Sequence, residues 1–195
     1  MSDFSTRRVM MVDTQVRPSD VTKFPIIAAM LAIPRESFVP VAQREAAYVG
    51  LNLPLSPGRV VLEARTLAKL LDFLDIKPGD RVMDLGSGYG YAAAVLAEMG
   101  AHVVAVEEDA AMADAARAHL PGVTVVTGPL HAGAASNGPY DAIVVQGAVE
   151  QVPDAILAQL KDGGRIGALF MQGALGTARN WNTMLKIVAA LRVGQ

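Results

Sequence analysis

The residues of this chain whose types and spacing suit chemistry lie between Asp84 and Glu107. Three glycines, Gly86, Gly88 and Gly90, alternate with Ser87 and Tyr89 in the run D-R-V-M-D-L-G-S-G-Y-G-Y from Asp80 to Tyr91. Glycines in a turn let a ligand approach the main chain, and a helix that follows at once offers N–H groups without intrahelical partners. Asp84, two places before the first glycine, would face an ammonium group better than a pyrophosphate. Glu107 ends a second apolar run, His102–Glu107, about twenty residues on, the spacing at which an acid accepts both hydroxyls of a ribose.

The spacing separates two nucleotide chemistries. A dinucleotide fingerprint, G-x-G-x-x-G, needs its third glycine where this chain has Tyr91, so a nicotinamide-dependent oxidoreductase is disfavoured. A glycine-rich turn alone can be no more than a tight turn. With Asp84 before it and Glu107 after it, the pattern points to a nucleoside that carries a positive charge, and S-adenosylmethionine is the expected cofactor. The expected cofactor-binding set is Asp84, Gly86, Ser87, Gly88, Tyr89, Gly90, Glu107, Glu108, Gly128, Pro129, Leu130 and Gln146. A solvated helix start accounts equally for Glu108, and Asp109 is placed to cap the helix after it. Tyr89 or Tyr91 could cover the methionine end, although both types, like Trp181, serve more often in packing.

These residues need a sheet to hold them. Val82, Met83 and Leu85 form a buried strand behind the turn signal Lys77-Pro78-Gly79-Asp80, and an alanine-rich helix spans Tyr91 to Met99. Further strands are read at His102–Glu107, Val123–Gly128, Tyr140–Val145 and Arg165–Met171. Helices lie between them at Asp109–His119 and from Pro153 through Leu160, the last stopped by Gly163-Gly164. Five strands alternating with helices predict an α/β fold, a Rossmann-like, doubly wound and mostly parallel sheet with helices on both faces. Ligands of such sheets bind beyond the carboxyl ends of the strands, where the glycine turn, Glu107, Gly128 and Gln146 fall. A final strand is expected within Met184–Val193, and a sheet edge exposed there would call for cover by a partner or a loop.

Ahead of the sheet, helices are expected over residues 3–16, over Val21–Leu31 with Pro25 shifting its start toward Phe24, and over Glu63–Leu74, whose leucines suit a packing stripe. Ile33–Pro40 reads as a linker and Gln43–Tyr48 as a helical turn. Leu51–Gly58 holds too many prolines and glycines for regular structure and leads toward the site. Residues 1–76 thus form an N-terminal helical extension and acceptor-side loop packed on the same domain as a cofactor-binding core, 77–195.

Composition narrows the classes. A chain of 195 residues, 52% hydrophobic and 18% charged, suits one compact α/β domain. A net charge of −2 without a clustered basic face gives no reason to expect nucleic acid or an anionic membrane as partner. There is no cysteine, which removes disulfides, thiolate nucleophiles and Cys-based zinc sites. His102, His119 and His131 are not spaced as metal ligands, so no metal is expected, and His131 is the one placed near the cofactor. Nothing at the N-terminus reads as a signal or a membrane span, and the cytoplasm is the simplest address.

Longer motifs carry a family resemblance. The stretches M-V-D-T-Q-V-R from Met11 to Arg17, I-P-R-E-S-F-V-P from Ile33 to Pro40, the Ala47-Tyr48 pair, K-P-G-D-R-V from Lys77 to Val82, and Y-D-A-I-V-V from Tyr140 followed by Val152-Pro153 occur together, in this order. K-D-G-G-R-I at Lys161 to Ile166 resembles a motif of methyltransferases at large. In these motifs the chain resembles the protein-L-isoaspartate O-methyltransferase family over most of its length. The resemblance implies S-adenosylmethionine as cofactor, a protein or peptide acceptor, and methylation of damaged aspartyl carboxyls as the usual task. It also exposes departures. The family's T-I-S-Q-P acceptor segment is Val60-Val61-Leu62-Glu63-Ala64 here, so both hydroxyls are missing; a histidine usual before it falls at Pro57, and an aspartate expected after the third strand is Pro129.

A methyl transfer to a carboxylate needs positioning and exclusion of water rather than a general base, because the acceptor is already ionised. Arg59 and Arg65 flank the altered segment and suit either an acceptor carboxylate or a surface ion pair. Arg59, Leu62, Arg65 and Gly147 are the substrate-side candidates, with Gln146 and Gly147 bordering the methyl group. Two alternatives stand beside the isoaspartyl reading: a methyltransferase with a different acceptor, and a protein that binds the cofactor without catalysis.

Overall fold

The computed structural model describes residues 3–170 and 186–187. Five parallel strands make the sheet: β3 (Arg81–Leu85), β4 (His102–Glu107), β5 (Thr124–Thr127), β6 (Tyr140–Val149) and β7 (Leu160–Phe170). Their order is β5-β4-β3-β6-β7, with β8 (Lys186–Ile187) antiparallel on the outer side of β7. β8 lies within the strand expected at 184–193; the remaining residues of that stretch, Trp181 and Met171 lie outside the described residues. The chain leaves β3 toward β4 and β5 and then returns to pair β6 on the other side of β3. That reversal opens a crevice at the carboxyl end of β3, where ligands of such sheets bind.

Alternation along the strands divides the core. Val82, Val103, Ala105, Ala142, Val144 and Leu169 face α1 (Phe4–Met11), α2 (Phe24–Ala32), α3 (Ala64–Leu74) and α4 (Tyr91–Glu98). Met83, Leu85, Val104, Val106, Ile143, Val145, Ile166 and Ala168 face the other way, onto Ile156 of α6 (Asp154–Leu157) and Ala134. Successive strand residues point to opposite faces, so these near-continuous apolar runs are those of a sheet covered on both sides. α3 shows the expected stripe, with Leu67, Leu70, Leu71 and Leu74 all buried. It lies so close to β7 that a Cβ on Gly167 would sit 3.0 Å from Leu74 Cδ1. α5 (Ala110–His119) is capped as expected, Asp109 Oδ1 accepting from the Met112 N–H at 3.0 Å.

Several elements depart from the sequence reading. The first helix stays α-helical only to Met11 and runs on as a π-helical turn over Val12–Val16. α2, by contrast, starts at Phe24 as expected from Pro25, since a proline in the first turn has no N–H to give and presets the backbone for a helix. The Ile33–Pro40 stretch contains a 3₁₀ turn at Arg35–Phe38, and a second one spans Val41–Ala46. Leu51–Gly58 is not irregular: β1 (Leu53–Ser56) and β2 (Arg59–Val61) form an antiparallel hairpin, turning at Pro57-Gly58 with Gly58 at φ +75°. Finally, the helix from Pro153 ends at Leu157, and Gly163-Gly164 lie inside β7. Leu160 already pairs with Tyr140, and the next paired residue is Arg165 opposite Ala142, so the glycines form a bulge held in the sheet rather than a helix stop. Among the described residues no helix is long and apolar enough to cross a membrane.

Candidate active site

Asp84, next to last in β3, is wholly buried. Its Oδ1 accepts from Gln146 Nε2 at 2.7 Å, while Oδ2 is buried with no hydrogen-bond partner among the described residues. Burial pushes the Asp84 carboxyl up to about 7, the charge of Glu107 adds to the shift, and the Gln146 bond opposes it. Gln146 reaches Asp84 from the stretch of β6 where register with β7 is lost, between Val144 and Ala148, with Gly147 at φ +145°. The Ser87 hydroxyl is likewise buried and without a partner among the described residues.

The glycine turn is shaped by backbone that other residues rarely adopt. Gly88 and Gly90 stand at φ +57° and +92°, and a Cβ on them would lie 2.8 Å from Leu55 Cδ1 and 2.6 Å from Leu120 Cδ1. The N–H groups of four turn residues are used within the fold. Those of Gly86 and Ser87 donate to Val106 O, that of Gly90 to Ser87 O and that of Gly88 to Glu107 Oε2. The close pairing of β3 with β4 consumes them, so the turn supplies shape and room rather than an anion cradle. That suits an uncharged ribose better than a phosphate.

Glu107 is the most heavily bonded group of the site. Arg59 forks onto it, Nη1 to Oε1 at 2.7 Å and Nη2 to Oε2 at 2.5 Å, and the N–H groups of Gly88 and Asp109 donate to it at 2.6 and 3.0 Å. Burial alone would raise the Glu107 carboxyl, but Arg59 and these N–H groups outweigh it and hold the acid below its ordinary value. Burial would correspondingly lower Arg59, yet its bonds to Glu107 raise it. Of the two readings open for Arg59, the structure shows the ion pair. The same holds for Arg65, which pairs with Glu63 at 3.0 Å, is 61% exposed and is not brought into the site.

The other expected residues fall around this centre. Leu130 Cδ1 lies 3.7 Å, and Gln146 O 3.6 Å, from where a Cβ on Gly86 would be. Pro129 precedes the 3₁₀ turn Leu130–Ala132, which carries His131, and the Gly128 N–H donates to Glu107 O at 3.0 Å. Glu108 is half exposed, 3.9 Å from Arg59 Nη1. Leu62 is buried, and with Val60 and Val61 it lines a small cavity of about 10 Å³ shared with Ser87, Tyr89 and Gln146. That is room for about one water. The wall facing it from β2 is therefore aliphatic. Among the described residues no group of acids and histidines is placed to hold a metal.

Two participants were not expected from sequence. Leu55 of the hairpin covers Gly88. Arg35, wholly buried, donates from Nε to Ala47 O at 2.7 Å and from Nη2 to Leu62 O at 2.8 Å, with its guanidinium 4.8 Å from the centre of the Tyr91 ring. Burial lowers its pKa. The alternating leucines around Pro54 and the Pro57-Gly58 turn signal could have given the hairpin; nothing local announces the reach of Arg35.

Comparison with known proteins agrees with this geometry. A family model described as protein-L-isoaspartate(D-aspartate) O-methyltransferase matches residues 8–171. The chain belongs to that family. It is 42% identical over 168 residues to the protein-L-isoaspartate O-methyltransferase of Methylorubrum extorquens, covering 84% of this chain and 74% of the relative. The Staphylothermus marinus enzyme of that name is 34% identical, covering 91% and 87%. A solved protein-L-isoaspartate O-methyltransferase superposes with a TM-score of 0.71 at 26% identity, over 86% of this chain and 55% of that one. A Plasmodium falciparum structure described as a beta-aspartate methyltransferase in complex with S-adenosyl-L-homocysteine shares the fold, with a TM-score of 0.69 at 17% identity over 89% and 87%. Membership of the protein-L-isoaspartate O-methyltransferase family makes this chain an S-adenosylmethionine-dependent methyltransferase, and sets the nicotinamide reading aside.

Proposed function

We propose that the chain transfers a methyl group from S-adenosylmethionine to a carboxylate, that of an isoaspartyl residue in a peptide or protein. The observation that carries this reading is the pair of acids at the carboxyl ends of adjacent parallel strands, Asp84 with one buried oxygen unpartnered among the described residues and Glu107 with both oxygens accepting from polar donors, beside a glycine-rich turn. The site fits the cofactor. Asp84 would hold its ammonium, Glu107 its ribose hydroxyls, and Gly86, Gly88 and Leu130 would border the nucleoside. When bound, the cofactor supplies a methyl group on a positively charged sulfur, open to attack by an anion.

The protein's own task is positional. An ionised acceptor needs no base, so Gln146, Gly147 and the hairpin residues have to orient it and keep water away. Val60, Val61 and Leu62 can exclude water but offer no side-chain hydrogen bond to a carboxylate. That aliphatic wall favours one second reading, a methyltransferase for a different acceptor.

Calorimetric titration with S-adenosylmethionine, followed by labelled methyl transfer to an isoaspartyl peptide beside its aspartyl counterpart, tests both. Binding with transfer confined to the isoaspartyl peptide is the expected result. Binding without transfer would leave the second reading, and no binding would overturn the cofactor assignment.

A further inference from the structure

Resting on that reading of the site, one conflict in its geometry has a chemical resolution. A ribose can bind Glu107 only by taking the oxygens that Arg59 now holds through two parallel hydrogen bonds. Only 14% of the Arg59 side chain is exposed, so a guanidinium displaced from Glu107 must find another anion nearby. Glu108 is within 3.9 Å but half exposed, where water screens the attraction.

The acceptor has the opposite requirement. It arrives as a carboxylate at a site that already holds the buried acids Asp84 and Glu107, and like charges in a poorly screened place repel strongly. The aliphatic residues Val60 to Leu62 give it nothing to bind. Of the arginines around the turn, Arg35 is wholly buried against the Tyr91 ring, with Nε and Nη2 donating to Ala47 O and Leu62 O and Nη1 without a hydrogen-bond partner among the described residues, and Arg65 points outward to Glu63. Arg59 immediately precedes the aliphatic wall on β2, and its Nη2 lies 3.5 Å from where a Cβ on Gly86 would be.

We propose that Arg59 is a substrate-binding residue held in reserve: it forks onto Glu107 until a ribose takes that carboxylate, and then binds the carboxylate of the acceptor. One guanidinium thereby serves two anions in turn, and the acceptor binds after the nucleoside. A planar fork matched to carboxylate geometry is suited to both partners.

Calorimetry on the full chain tests this without turnover. S-adenosylhomocysteine should bind Arg59→Gln about three- to tenfold more tightly than the parent, since the competing fork is gone. Adenosine should show the same gain and 2′,3′-dideoxyadenosine, which lacks the diol, none. An isoaspartyl peptide should bind the S-adenosylhomocysteine-saturated parent, bind saturated Arg59→Gln about tenfold or more weakly, and recover in part with Arg59→Lys, which keeps the charge. Equal nucleoside affinity in parent and Arg59→Gln, or equal peptide affinity of their saturated forms, would overturn the inference and leave the cofactor site standing. Failure of S-adenosylhomocysteine to bind parent and variants alike would bring down the reading of the site itself.

Discussion

Near pH 7 the Asp84 carboxyl is close to half protonated in the folded chain, against an ordinary value of 3.8. Between those values the folded state holds a proton that the unfolded state has released, so this group's contribution to stability falls as pH rises from about 4 to about 7. Glu107, held below its ordinary value, works in the opposite sense: its contribution is present above that value and is lost as pH falls. Asp84→Asn isolates the first effect. Thermal melts should show the variant more stable than the parent at pH 8, by on the order of 1–3 kcal/mol, with the advantage gone near pH 4.5. An ammonium ligand prefers the ionised acid, so parent affinity for S-adenosylhomocysteine should drop, by up to about tenfold per pH unit, as pH is lowered below 7. An affinity flat from pH 6 to 8 would count against Asp84 as the ammonium partner. Arg35 allows a third forecast. Arg35→Met leaves the carbonyls of Ala47 and Leu62 buried without their donor, and urea unfolding should register a loss of about 2–4 kcal/mol.

At the level of elements, the glycine turn and its flanking strands were legible because their signals are local: an apolar run, glycines at alternate places, then alanines with helical propensity. The same locality explains what was not read. β1 and β2 are only four and three residues long, and Pro54 in the first masks the hairpin signal that Leu53, Leu55 and Pro57-Gly58 carry. The Gly163-Gly164 pair reads equally as a helix stop and as a bulge, and only the pairing of Leu160 with Tyr140 decides it. Arg59 and Glu107 are 48 residues apart, so their fork exists only once the hairpin has folded over the turn. The turn itself tolerates little change. Gly90→Ala must accept a positive φ and a contact 2.6 Å from Leu120 Cδ1, and should cost about 1–3 kcal/mol in a urea titration.

Over the whole molecule, the sheet with helices on both faces was read from the order of apolar runs, whereas the closure of the site was not, since it depends on the hairpin lying across the carboxyl ends of the strands. Hydrogen exchange should display that division. Amides of β3, β4 and β6, inside the sheet, are expected to exchange slowest. Addition of S-adenosylhomocysteine should change protection chiefly at residues 53–61 and 84–90; a change spread evenly over the chain would speak against a local rearrangement. The hairpin is fastened unevenly. At its base Leu53 pairs with Val61, Asn52 Oδ1 accepts from the Glu63 N–H at 2.8 Å, and Arg35 holds Leu62 O; toward its tip the ion pairs of Arg59 are what tie the Ser56–Arg59 turn down to the strands below. Mechanically this is a cantilever, clamped at one end and held toward the other by a bolt that the proposed exchange would withdraw, so that letting a ligand in would bend a few residues and leave the clamp, and the core behind it, undisturbed.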